Sequence, residues 1–144
     1  MVTGPDDPFE VGRAQEMAPG GDATCVAFGQ MVSEALIAHD RLAAEGIGLC
    51  VLNMHTIKPL DEAAIEAAAR ETGAIVTAEE HQLYGGLGST VAQAVAKLYP
   101  VPMDYVAVQD RYGKSGTPDE LLDAFGLRAS NIVERVRALL KRKH

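Results

Sequence analysis

The polar segment after one short apolar run contains the residues with the clearest chemical potential. Glu79, Glu80 and His81 directly follow the apolar residues 74–78, and glycines come next. Two adjacent carboxylates can raise the pKa of one of them, and a histidine exchanges protons near neutral pH. Because neighbouring residues of an extended chain point in opposite directions, we expect one glutamate to face a cleft while the other forms a salt bridge or caps a helix. His81 is the best candidate for a contact outside the domain.

The glycines after this segment indicate a turn at the start of a helix. Gly85, Gly86 and Gly88 precede an apolar pattern at helical spacing. Backbone N–H groups at a helix start can bind an anion, but glycines there can equally permit close helix–sheet packing. The dinucleotide-binding fingerprint is absent, because Val91 stands where that motif needs glycine or alanine. The candidates for an interface or an anion site are therefore the glycine turn together with these polar residues: His55, Lys58, Glu79, Glu80, His81, Asp110, Lys114 and Ser115.

A second polar loop, residues 109–116, follows the last predicted strand. Its Asp110 can approach His81 if both loops lie at the carboxyl edge of one parallel sheet. One hypothesis is therefore a free-standing enzyme that uses Glu80, His81 and Asp110 as acid, base and orienting group. Another is an anion-binding regulatory module, although a net charge of −7 does not steer anions toward the surface as a whole.

Alternating strand and helix patterns predict the scaffold that brings these loops together. Short apolar runs predict four buried strands at 24–28, 47–52, 74–78 and 104–108, and amphipathic helical stripes follow them. A weaker edge strand is expected within 9–17, and it is antiparallel if it pairs with the first buried strand across the turn at 19–22. This order predicts a three-layer α/β fold with right-handed crossovers.

Capping residues indicate where the helices begin and end. The predicted N-caps are Asp61, Thr117 and Ser130, and the predicted helix ends are Gly46, Gly73 and Gly126. His39 lies on the apolar side of its helix, and we expect it to pack at the seam between that helix and the sheet.

Length and composition predict one compact domain at 9–144 after a flexible segment at 1–8. The net charge of −7 argues against a nucleic-acid partner. Cys25 and Cys50 lie in separate predicted strands without metal-site spacing, so buried reduced thiols are expected. The chain shows no signal-peptide pattern and no apolar run of membrane-spanning length, which predicts a cytoplasmic protein without membrane contact.

Three segments together resemble one domain family. They are NMHTIKPLD at 53–61, the EEH and GGLGS motifs within 79–89, and D-x-x-G-x-S-G at 110–116. The combination resembles the C-terminal domain of transketolase-like thiamine diphosphate enzymes, closest to the C-terminal half of split bacterial and archaeal transketolases. Similar domains close 1-deoxy-D-xylulose-5-phosphate synthases and the β subunits of 2-oxo acid dehydrogenases. The resemblance runs from about Phe9 to the end.

The resemblance implies a mainly parallel five-stranded sheet with one antiparallel edge strand. It also implies a parent enzyme that transfers two-carbon ketol units between sugar phosphates, with thiamine diphosphate and Mg²⁺ held in two other domains. The family's Gly-Asp-Gly motif has no match, since Gly20-Gly21-Asp22 has another order. We therefore expect this chain to bind no cofactor or metal and to be inactive alone. It would pack against the domain that binds the pyrimidine ring and help assemble a multi-domain dimer.

A domain that packs against others is expected to present apolar surface for them. The candidate side chains are Met31, Ile37, Leu83, Tyr84 and Tyr99. We expect a contiguous apolar patch beside the loops at 53–58 and 79–86, and weak self-association of the chain.

Overall fold

A computed structural model describes residues 12–82, 86–108 and 117–143. Five strands and five helices occur within these residues, numbered separately in chain order. They are β1 (Gln15–Ala18), β2 (Ala23–Ala27), α1 (Met31–Ala43), β3 (Leu49–Asn53), α2 (Glu62–Thr72), β4 (Ile75–Gln82), α3 (Leu87–Leu98), β5 (Met103–Val108), α4 (Pro118–Phe125) and α5 (Ala129–Leu140). No helix in these ranges is both long and apolar enough to span a membrane. The predicted domain boundary at Phe9 lies outside the described residues.

The strands form one sheet in the order β1-β3-β2-β4-β5, with β2 to β5 parallel and β1 antiparallel. The predicted fold class is thus confirmed, but β1 does not pair with β2 across the turn. Its partner is β3, because the turn at 19–22 passes directly against the start of that strand. A Cβ built on Gly20 would lie 2.4 Å from the carbonyl carbon of Leu49. Gly48 N–H donates to Asp22 Oδ2 at 2.7 Å, which fixes the turn in this position.

Two apolar clusters, one on each face of the sheet, make the three layers. Alternation along β4 shows how the faces are divided: Val76 and Ala78 belong to the cluster with α1 and α5, whereas Ile75 belongs to the cluster with α2 and α3. The apolar stripes predicted for α3 and α5 are buried except at their last residues, Leu98 and Leu140, which are partly buried. Met31 is fully buried in the first cluster, so its assignment to a surface patch was wrong.

Several predicted helix ends are confirmed. Asp61 caps α2 by accepting from Ala64 N–H at 3.1 Å, and Thr117 caps α4 by accepting from Glu120 N–H at 3.2 Å. Gly73 and Gly126 follow α2 and α4 with φ of 72° and 69°, the left-handed conformation that glycine adopts without strain.

One predicted cap was wrong. Ser130 lies inside α5, which begins at Ala129 after Arg128, because the Asn131 side chain accepts from Arg128 N–H at 2.9 Å and sets the helix start there. Gly46 ends α1 with φ of 79°, two residues beyond the Ala44 C-cap, and the next N–H, of Ile47, donates back to the Leu42 carbonyl oxygen at 2.9 Å. The interpretation of His39 is confirmed, since its Nδ1 lies 2.6 Å from the Leu49 carbonyl oxygen at the seam between α1 and β3.

Candidate functional site

The polar segment after the β4 core forms an irregularity at the carboxyl end of the strand. Ala78 pairs with Val106 and Gln82 with Val108, so three residues of β4 stand opposite one of β5. Such a bulge interrupts the alternation of side chains and redirects them. Ile75, Thr77 and Glu79 are alternate residues of β4, so their side chains lie on the same face of the sheet. This is the face that α3 covers.

Glu79 caps α3 from a neighbouring strand. Its side chain is completely buried, Oε1 accepts from Leu87 N–H at 2.9 Å and Oε2 from Gly88 N–H at 2.6 Å. Helix α3 has no acidic residue in its first turn, and its N-cap is Gly86, which has no side chain to accept these bonds. The buried carboxylate therefore satisfies unpaired helical N–H groups and complements the positive end of the helix dipole. Of the two alternatives expected for one of these glutamates, a salt bridge or a helix cap, Glu79 shows the helix cap.

Gly88 allows this close approach of α3 to the sheet. A Cβ at this position would lie 2.9 Å from Tyr105 Cδ1, 3.0 Å from Thr77 Oγ1 and 3.4 Å from Glu79 Oε2. The first two distances are shorter than real Cβ contacts normally are, so any side chain would push the helix away from the carboxylate. Close packing thus accounts for this glycine, and two N–H donors considered for an external anion are engaged by Glu79.

The remaining candidate residues are only partly brought together. Glu80 is exposed, and His81 lies in β4 with a side chain outside the described set. His55 is half-buried with Nδ1 3.1 Å from Thr56 Oγ1, and Lys58 is exposed. The ends of β3 and β4 lie at the same carboxyl edge with β2 between them, a separation of two strand spacings or roughly 10 Å.

Other candidates lie outside the described residues, namely Gly85, Asp110, Lys114 and Ser115. The acid–base arrangement of Glu80, His81 and Asp110 therefore stays a hypothesis. Within the described ranges, no group of three or more His, Cys, Asp or Glu side chains is placed to hold a metal ion.

Only part of the expected apolar surface lies within the described residues. Ile37 and Tyr99 are exposed, at 43% and 38%. Tyr99 follows the end of α3, at the sheet edge opposite the candidate loops, and the Arg70 guanidinium stacks over its ring at 4.6 Å. Leu83 and Tyr84 lie outside the described residues, so the existence of a patch beside the candidate loops stays a prediction.

Sequence reasoning missed a second contact of Asp61. The same carboxylate that caps α2 accepts from Ala14 N–H through Oδ2 at 2.8 Å. Both residues are half-buried. The capping pattern revealed the first contact, but no local signal points to a partner 47 positions away.

The sheet order and the two helical layers define a three-layer α/β domain. Its four parallel strands end at one carboxyl edge, where the buried Glu79 caps the start of α3. Residues 12–132 match the family described as transketolase, C-terminal domain. The chain belongs to this family, which confirms the resemblance found in the sequence.

Relatives place the domain within longer proteins. The chain is 45% identical to the 6-deoxy-6-sulfo-D-fructose transketolase subunit SqwH of Clostridium sp. (strain MSTE9), covering 96% of this chain and 43% of that protein. It is 40% identical to a 1-deoxy-D-xylulose-5-phosphate synthase of Heliobacterium modesticaldum, covering 90% of this chain and 20% of the synthase. A solved split-gene transketolase, described as an inactive beta4 tetramer, superimposes with a TM-score of 0.95 at 44% identity over 100% of this chain and 47% of the other. The chain thus spans less than half the length of these relatives.

Proposed function

We propose that this chain is the C-terminal domain of a transketolase-like enzyme and that it serves assembly rather than chemistry. The main support for this proposal is that the family match covers 12–132, while the relatives are more than twice as long as this chain. In this proposal the parent enzyme transfers two-carbon ketol units between sugar phosphates, works in the cytoplasm and is a homo-oligomer. The split-gene relative is described as inactive in its beta4 form. This supports the proposal that such a domain needs a further subunit for activity.

A second candidate parent is a 1-deoxy-D-xylulose-5-phosphate synthase, which the 40% identity to such an enzyme favours. The two parents are distinguished by product, since ketol transfer between sugar phosphates yields no 1-deoxy sugar. The assay combines this chain with the cofactor-binding part encoded at the same locus and identifies the phosphorylated product.

Thiamine diphosphate and Mg²⁺ belong to the other part of the proposed enzyme, because the described residues do not fit them. The start of α3 is a helix N-terminus next to a glycine turn, but the buried Glu79 carboxylate accepts from Leu87 and Gly88 there. A diphosphate at that point would meet a like charge in a site closed to water. Calorimetric titration of the full chain with cofactor and Mg²⁺ should therefore give no binding heat, and micromolar binding would overturn this assignment.

We further propose that the carboxyl-edge residues form an interface with the cofactor-binding part. His55, Lys58 and Glu80 lie in or beside the two loops of this edge, and His81 is in the bulge. Asp110 and Ser115 remain in the proposal as members of the 109–116 loop. An anion-binding role is the alternative, and a chemical-shift titration with inorganic phosphate separates the two. Saturable shifts at these residues favour the anion, whereas flat titrations favour the interface.

Self-association follows from an interface that is left uncovered. We expect the isolated chain to form dimers or larger species weakly as its concentration rises. Sedimentation velocity over a concentration series measures this directly. A strictly monomeric species at high micromolar loading would contradict the prediction.

A further inference from the structure

The chain enters the domain at the carboxyl edge of the sheet. Strand β1 is antiparallel and begins with Gln15 opposite Asn53, the last residue of β3. Residues 12–14 therefore lie at the edge where β2 to β5 end. Any part of the protein that precedes residue 12 joins the domain beside the segment that follows β3.

A hydrogen bond joins this entry to the turn before α2. Asp61 Oδ2 accepts from Ala14 N–H at 2.8 Å. Gly12, with φ of +82°, lies near the same turn, since a Cβ built on it would be 3.3 Å from Pro59 Cγ. The hydrogen bond therefore restrains the entering segment just before the sheet pairing of β1 begins.

A carboxylate can form both hydrogen bonds of Asp61 because it has two acceptor oxygens, which other capping residues lack. Oδ1 accepts from Ala64 N–H at 3.1 Å, which is the cap, and Oδ2 accepts from Ala14 N–H. Asparagine caps a helix about as well, but it offers one acceptor oxygen and one donor group. Helix α4 shows the simpler case, since Thr117 caps it through a single hydroxyl oxygen.

We infer that Asp61 is a positioning residue that holds the incoming chain at the carboxyl edge. In the enzyme proposed above, on which this role rests, it fixes the upstream cofactor-binding part beside the loop that follows β3 and carries His55 and Lys58. The local contact itself does not depend on that function, so the two fail separately. Both acceptor oxygens are needed, one for the helix and one for the incoming chain.

Trypsin offers a direct test, because Arg13 is exposed and the N–H bonded by Asp61 belongs to the Arg13–Ala14 peptide bond. In the full chain, Asp61→Asn keeps one acceptor and loses the other. We expect cleavage after Arg13 to accelerate about tenfold or more, since a charge-assisted hydrogen bond restrains that amide. Mass spectrometry identifies the product that begins at Ala14, and hydrogen exchange at the Ala14 amide should accelerate in parallel.

The control is Thr117→Ala, which removes a helix cap far from the entry. It should lower the unfolding midpoint while cleavage after Arg13 stays at the wild-type rate. Asp61→Ser, which also retains a single acceptor, should behave like Asp61→Asn. Wild-type cleavage rates in both Asp61 variants would overturn the inference, and so would equal acceleration by Thr117→Ala, because the effect would then reflect general loss of stability.

Discussion

Replacing Glu79 by glutamine tests whether the buried carboxylate holds the glycine turn in place. The substitution keeps the size and shape of the side chain but removes its charge and one acceptor. In the native chain Oε1 and Oε2 accept from Leu87 and Gly88 at 2.9 and 2.6 Å, with the side chain fully buried. A glutamine can satisfy one of these N–H groups, and its own NH₂ group must then face the other.

The expected cost follows from what is lost. A hydrogen bond to a charged group contributes about 1.5–3 kcal/mol, and a buried donor left without an acceptor costs about 1–3 kcal/mol. Loss of the negative charge at the start of α3 adds a helix-dipole contribution of up to about 2 kcal/mol. Since these contributions overlap, we expect Glu79→Gln to lower the free energy of unfolding by about 2–4 kcal/mol. At this chain length that corresponds to roughly 5–15 °C in Tm.

Urea denaturation of the full chain measures this free energy, and Glu80→Gln is the matched control. Glu80 is the adjacent residue and is exposed, so its change should stay within about 0.5 kcal/mol of wild type. Hydrogen exchange at Leu87 and Gly88 should accelerate only in the Glu79 variant. Equal stability of the two variants would refute the reasoning, because the helix start would then be satisfied without the carboxylate.

Two further predictions concern packing and burial. Gly88→Ala should cost roughly 1–3 kcal/mol in urea denaturation, because its Cβ would lie 2.9 Å from Tyr105, whereas Gly21→Ala meets nothing within 4 Å and should be nearly neutral. Burial raises the pKa of the Cys25 thiol from 9.0 to about 12. Folding therefore favours the protonated thiol, which contributes to the free energy of unfolding. This contribution is complete below pH 9 and decreases above it, by about 1.4 kcal/mol near pH 10. Unfolding free energies measured across this pH range should show that loss in wild type and a smaller one in Cys25→Ala; identical pH dependences would contradict it.

Patterns among neighbouring residues were enough to predict most of the strands and helices. A short apolar run such as the one containing Val76 is typical of a strand buried on both faces, and its alternation with helical patterns predicts a central parallel strand. Asp61 and Thr117 satisfy N–H groups three residues ahead, which makes their caps readable from spacing alone. The same local logic gave the seam position of His39, because the apolar stripe of α1 fixes which side of the helix meets the sheet.

The candidate site was predicted less completely. The sequence indicated that one of the two glutamates would form a salt bridge or cap a helix. Alternation alone did not say which one, since that depends on the face of β4 that α3 covers. It indicated equally that Gly88 could serve an anion or packing. The 2.9 Å approach of Tyr105 decided for packing, and Tyr105 lies on another strand.

Sequence by itself determined the element types, the class of fold and the family, because periodicity, capping and motif spacing are properties of neighbouring residues. Tertiary structure alone decided that β1 pairs with β3, that Met31 is core, and that Asp61 binds Ala14. Each of these depends on which segments distant in the chain come into contact. That choice is made by the packing of the whole sheet and its two helical layers, as in the turn where Gly20 lets the chain pass directly against the backbone of Leu49.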